Sequence, residues 1–192
     1  MGAAGPLTAE LRRRGVTVLM HYSPAENLSS ILRHGILSRR ARQAAGVLPA
    51  AQHGWGTSAH GQAYAAFVCL GFAAHRVMMA KERGAVAVFR IAPAIVEQPG
   101  VCFAPHNTAL ADIDPEYVCA CTGAEALGLL FADDGGARLR DPQCEILIPD
   151  RIPVAAIAGV TVHASGGAVD WPRTCWWRCR RQCGRILSTM KI

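Results

Sequence analysis

Three short polar clusters stand out in an apolar chain: His21-Tyr22-Ser23, His75-Arg76 and Gln143-Cys144-Glu145. Glu145 opens the run Ile146-Leu147-Ile148, and a carboxylate in a core strand needs a partner or a task, because burying an unpaired charge is costly. Strand alternation predicts Gln143 and Glu145 on one side, about 7 Å apart. The two would then form a small polar site on an otherwise apolar element. The plainer alternative is an edge strand with its outer face in water. His21, followed by hydroxyl residues at the mouth of a helix, suits a polar ligand, since unpaired N–H groups gather there; a purely structural histidine is the alternative. Arg76, in the first turn of another helix, would clamp a phosphate or steady a substrate, unless it is only a surface arginine.

These clusters need elements to hold them. Residues 17–22 read as a buried strand. Ser23 as N-cap, Pro24 at the first helical position and Glu26 three residues after Ser23 spell a capping box. The helix it starts has the apolar stripe Leu28, Ile31 and Leu32, and Gly35 ends it in the left-handed conformation. Residues 43–61 read as loop, 67–72 as strand, 74–83 as helix, and 85–91 and 101–104 as strands. Further on, 107–115 reads as loop, 115–130 as a helix weakened by Gly128, 133–142 as loop, and 144–148 and 160–163 as strands. Short strands with few helices predict an α+β chain built around a mostly antiparallel sheet.

With 192 residues, 51% hydrophobic and 18% charged, the composition is that of one globular domain and excludes wholesale disorder. The longest apolar runs fall far short of the ~20 residues of a membrane helix. Residues 16–20 are too short an apolar stretch after Arg12-Arg13-Arg14 to be a secretory signal, so a soluble, cytoplasmic protein without membrane contact is expected. The eight cysteines are then expected as thiols. Cys119 and Cys121 are too close together for a zinc pair. Cys175, Cys179 and Cys183 lie four apart on one helical stripe, where an oxidisable tail is the plainer reading, and no metal is expected.

The net charge of +6 is unevenly spread. Residues 10–42 hold seven Arg against two Glu, 92–150 hold ten acids against two Arg, and 173–192 hold six basic residues and no acid. Basic segments of this kind track phosphates, and Trp171, Trp176 and Trp177 beside the tail would stack on bases. A solvated surface and a frayed end are the alternative.

In chain order, MHYSPAENLSSILRHGILS, FVCLGFAAHRVMM, VAVFRIAPAIVEQPGVCFAPHNTA and DPQCEILIPDRIPVAAIAGVTV resemble the motifs of ADP-ribosyltransferases. More narrowly, they resemble the DarT group, toxins that attach ADP-ribose to a base of DNA. The likeness spans roughly residues 18–160. It implies an ADP-ribosyltransferase-like fold, a mostly antiparallel split sheet with flanking helices, over 1–170, with 171–192 as a basic tail. It implies NAD as the ADP-ribose donor and no metal.

The bond between nicotinamide and ribose would break through an oxocarbenium-like transition state, which Glu145 would stabilise through a ribose hydroxyl. The resemblance implies His21, Tyr22, Ser23, Gly35 and Leu37 as NAD-binding residues. His21 would hold the adenosine-side ribose, and Ser23 or nearby N–H groups the nicotinamide or phosphate. Arg76 would grip an NAD phosphate or help take the proton from the attacked base. An ungapped match puts His75 in that place and a shift of one residue gives Arg76, whose fixed charge suits the role better. Gln143, with His75, would face the nucleobase, and the loop 122–142 would contribute to substrate choice. Single-stranded DNA, with its base edges unpaired, is the natural acceptor, with thymine and guanine both open. An antitoxin with ADP-ribosyl-hydrolase activity is the expected partner. The same scaffold hosts transferases that act on proteins, RNA or small molecules. A non-catalytic nucleic-acid-binding domain, using the basic ends and the tryptophans, is the alternative from another class.

Overall fold

The computed structural model describes residues 4–51, 62–72, 84–108, 114–136 and 138–163. His75, Arg76, the helix expected at 74–83 and the tail with Trp171, Trp176, Trp177, Cys175, Cys179 and Cys183 lie outside the described residues. The described strands pair antiparallel throughout. One sheet joins β1 (Leu19–Pro24), β4 (Val86–Ile91) and β8 (Ile157–His163), in that order. A second has β3 (Phe67–Leu70), β6 (Glu145–Pro149) and β5 (Cys102–Ala104), with β6 in the centre. A short ladder pairs β2 (Ile36–Leu37) with β7 (Arg151–Ile152). The edge strands β1 and β3 meet at one point. Met20 and Gly71 exchange two backbone hydrogen bonds of 2.8 and 2.9 Å, and the strands are not paired elsewhere. This is the split antiparallel sheet expected of the sequence.

Alternation along the strands builds the core. Ala87, Phe89 and Ile91 of β4 share one apolar cluster with Ile146 and Ile148 of β6. Leu11 of α1 (Pro6–Arg13), Ile31 of α2 (Leu28–His34) and Leu127 of α5 (Gly123–Leu129) join the same cluster. On the other face of β6 a smaller cluster holds Tyr64, Cys102, Ala104 and Leu147 with Val118 of α4 (Pro115–Ala120).

Local signals lose to the sheet in two places, and a helix runs into a segment expected as loop. The capping box does not form, because β1 runs on through Ser23 and Pro24, paired with Ala87 and Val86 of β4. Pro24 lies at the end of an edge strand, where a missing N–H is tolerated. A 3₁₀ turn, Ala25–Asn27, then leads into α2, and the Ser23 hydroxyl accepts from Asn27 Nδ2 at 3.1 Å instead of capping a helix. The helix expected over 115–130 is two helices. The Cys121 carbonyl accepts from Phe103 N of β5 at 2.8 Å, and the chain restarts after extended Thr122 at Gly123, whose φ is +78°. Within the expected loop 43–61, α3 (Arg39–Ala44) reaches Ala44, capped by Ser38, whose Oγ accepts from Ala41 N at 3.1 Å.

Gly35 ends α2 as expected, but at φ 80° and ψ −179°, an extended conformation open essentially to glycine alone rather than the left-handed helical one. A Cβ there would collide with the Ile152 carbonyl oxygen of β7. Gly35→Ala should therefore destabilise the fold by about 2 kcal/mol or more, read as a lower urea midpoint with an unchanged slope.

Candidate active site

A cavity of about 240 Å³ opens where β1 and β3 part. His21, Tyr22, Ser23, Gly35, Leu37, Gln143 and Glu145 all line it. Residues more than a hundred positions apart are brought together by register. Ile146 of β6 pairs with Leu70 of β3, so one residue further along, Glu145 reaches the row in which Gly71 meets Met20. His21 follows Met20 directly.

Glu145 starts the central strand β6 and pairs with Ala104 of β5, which removes the edge-strand alternative. Its Oε2 accepts two hydrogen bonds from fully buried Thr108, from the backbone N–H at 2.9 Å and from the hydroxyl at 2.6 Å. Burial raises the carboxyl above the ordinary glutamate range, and the two Thr108 bonds offset part of that rise. Cys69 of β3 lies close by. Burial and then the Glu145 charge push its thiol well up, away from the thiolate form. Burial likewise lifts Cys102 to about 11 and Cys144 to about 12. The five described cysteines are all free thiols. Among the described residues no group of three or more His, Cys, Asp or Glu is placed to hold a metal.

Gln143 reaches the cavity by a different route from the one alternation implies. It precedes β6 in a turn, where its backbone N–H donates to Asp141 Oδ1 at 2.7 Å, so strand pleating does not set its spacing from Glu145. The side chain is exposed at the cavity mouth.

His21 lies inside β1 opposite Phe89, not at a helix mouth. Its ring is tilted 47° against the Phe89 ring, with centroids 6.4 Å apart. Nδ1 lies 3.0 Å from the Cys69 carbonyl oxygen, and since a carbonyl only accepts, Nδ1 carries the hydrogen. In the neutral ring Nε2 is then the acceptor.

Three contributors escape reading of the sequence. Thr108 is one, since nothing local marks a threonine 37 residues from the carboxylate it holds. Asn27 is another. It donates from Nδ2 to the Ala51 carbonyl at 2.9 Å and accepts from Ala51 N at 3.2 Å, which draws the segment after α3 over the cavity. The third is the cavity role of Arg42: the sequence marks Arg39, Arg40 and Arg42 only as basic residues for DNA phosphates, whereas Arg42 lines the cavity with Arg39 from α3. Burial and then the neighbouring Arg39 charge lower its pKa, and its buried Nε has no hydrogen-bond partner among the described residues. A guanidinium remains charged through such a shift, so this is an anion-seeking group. The one sequence signal for it is the Arg spacing of three, which places both side chains along one side of a helix.

Over residues 20–168 the sequence matches the family model described as ssDNA thymidine ADP-ribosyltransferase, DarT. No curated protein sequence matches the chain. Among solved structures it is similar to Thermosipho africanus DarTG in complex with ADP-ribose, with a TM-score of 0.51 and 13% identity, covering 75% of this chain and 43% of that one. That likeness is one of fold, and the chain spans less than half the length of that structure. The family model covers well over half of the chain, which therefore belongs to the DarT family of ssDNA thymidine ADP-ribosyltransferases.

Proposed function

We propose that this chain transfers ADP-ribose from NAD to a thymine base of single-stranded DNA. The carrying observation is that Glu145, fixed by Thr108, shares one cavity with His21 and Arg42. The family description favours thymine over guanine. Glu145 holds a hydroxyl of the nicotinamide ribose and stabilises the positive charge that grows at C1′. The C1′–nicotinamide bond breaks with its electron pair passing to the ring nitrogen, so nicotinamide leaves neutral. A ring nitrogen of thymine then bonds to C1′ and gives up its proton.

His21 holds the adenosine-side ribose. Arg42, with Arg39, balances the diphosphate, alongside Arg76 or His75, to which the resemblance gives that task and which lie outside the described residues. Tyr22, Ser23, Gly35 and Leu37 shape the cofactor walls, and Gln143 meets the base edge at the mouth. Residues 1–170 would form the catalytic unit and 171–192 an appended tail. An antitoxin that removes ADP-ribose is the expected partner. No described helix is long and apolar enough to cross a membrane. The cytoplasm, which holds NAD and transiently single-stranded DNA, is the expected place of action.

Incubating the protein with NAD and a mixed-sequence single-stranded oligonucleotide should add the mass of one ADP-ribose at thymine. NAD consumption with an unchanged oligonucleotide mass would point to another acceptor. No consumption at all would leave a binding module.

Glu145→Gln keeps the shape and the acceptor for Thr108 but loses the charge, so transfer should fall ~10²-fold or more. The same change should stabilise the fold at neutral pH. A carboxyl whose folded-state pKa is raised gives stability that is present below its unfolded pKa and is lost as pH rises through the folded value. The advantage of Glu145→Gln in melting temperature should therefore grow as pH rises from about 4 and vanish below it. His21→Ala should raise KM for NAD and spare kcat, because its ribose contact is shared by ground and transition states; steady-state kinetics separate the two.

A further inference from the structure

We propose that Arg14 is a positioning residue for the acceptor: it holds a hairpin whose return strand carries Gln143 to the cavity mouth, and so sets how tightly the oligonucleotide binds. The assignment rests on the transfer reaction described above. Arg14, Phe131 and Gly136 are not among the described residues that line the cavity, so the effect reaches the acceptor through the hairpin.

Arg14 is the C-cap residue of α1, a helix that precedes the residues matched by the family model. The helix is anchored by fully buried Leu11 and by the Thr8 N–H, which donates to Glu97 Oε1 at 2.7 Å. The Arg14 side chain is only 11% exposed. A guanidinium so enclosed is costly unless its donors and its face are matched. Nε donates to Glu10 Oε1 at 2.6 Å, and Nη1 donates to the Gly136 carbonyl at 3.4 Å. The guanidinium carbon lies 4.5 Å from the centroid of the Phe131 ring. Hydrogen bonds from Arg13 and Arg14 hold the Glu10 carboxyl down at about 2, so the anion that aims Arg14 stays charged at neutral pH.

Residues 131–136 and 138–140 form the hairpin. Phe131 bridges Leu139, Ala132 N donates to the Arg138 carbonyl at 2.8 Å, and Arg140 Nε donates to the Phe131 carbonyl at 2.8 Å. These bonds shape the hairpin from within. Arg14 ties it to α1, at Phe131 and again at Gly136. Phe131 also stands edge-on to Phe72, with centroids 5.5 Å apart, and Phe72 follows Gly71 of the junction between the half-sheets. The return strand continues into Asp141, whose Oδ1 accepts from the Gln143 N–H at 2.7 Å. What holds the hairpin therefore helps to place Gln143. Glu145 is fixed separately, by its pairing with Ala104 and by Thr108. Loosening the hairpin adds an ordering cost to acceptor binding and leaves the NAD site intact.

The test uses the full chain, NAD and a thymine-containing single-stranded oligonucleotide. Arg14→Ala should raise KM for the oligonucleotide about tenfold, with kcat, and the Kd for NAD measured by calorimetry without DNA, within about twofold of wild type. Arg14→Lys keeps a charge beside Glu10 but lacks the fork that also reaches Gly136. It should melt like the wild type and still raise KM about threefold, and it carries the test should Arg14→Ala not fold. In a Phe131→Leu background, which lacks the aromatic face, Arg14→Ala should add less than about twofold. A KM for the oligonucleotide within about twofold of wild type in these Arg14 variants, or a loss of NAD affinity in step with it, would overturn the assignment. If the wild type itself transfers nothing to the oligonucleotide, the functional reading fails. Transfer by wild type and variants with equal KM overturns the role of Arg14 alone.

Discussion

The two half-sheets are stitched by a single pair of backbone hydrogen bonds between Met20 and Gly71. A sheet continued beyond that point would have zipped β1 onto β3 and closed the space in which a ligand can sit. A sheet without the contact would have left His21 and Glu145 on unrelated surfaces. The stitch fixes both. His21 is the next residue along β1, and Glu145 stands in the Gly71 row through the register of β3 with β6. The His21 ring adds a side-chain bond to the Cys69 carbonyl across the same junction.

Around this junction the chemistry is governed by how a carboxylate is kept in an apolar setting. Glu145 sits at the head of a strand whose next three residues are buried. Two bonds from Thr108 hold it, yet burial still raises its pKa. A carboxylate desolvated in this way interacts more strongly with positive charge than one in water, and NAD cleavage generates such charge on the ribose. The nearby thiol of Cys69 is pushed up by the same burial and by the same carboxylate.

Much of this is legible in the sequence where one strong local fact decides. A glutamate before Ile146-Leu147-Ile148 is conspicuous, and the β-branched runs at 86–91 and 145–149 announce strands. Gly35 ends its helix, as a glycine after the apolar stripe signals, with a φ of 80°. Local motifs mislead where tertiary pairing competes with them. Ser23, Pro24 and Glu26 spell a capping box, but the ladder with β4 claims Ser23 and Pro24 first. Alternation fails for Gln143 because the bond to Asp141 turns the chain before β6 begins. The helix carrying Arg42 buries none of its residues fully, so it has no apolar stripe to betray it, and its arginines read only as charge. Thr108 and Asn27 act through partners 37 and 24 residues away, which no window along the chain contains.

The central claim is spatial: NAD lies in the cavity at the Met20–Gly71 junction with its scissile bond beside Glu145. A crystal structure of Glu145→Gln soaked with NAD measures this directly, since the variant should bind NAD without consuming it. The expected result is the nicotinamide ribose within hydrogen-bond distance of the residue 145 amide, the adenosine ribose on His21 and the diphosphate against Arg42. NAD bound elsewhere on the chain, or in this cavity with its nicotinamide ribose remote from residue 145, would contradict it.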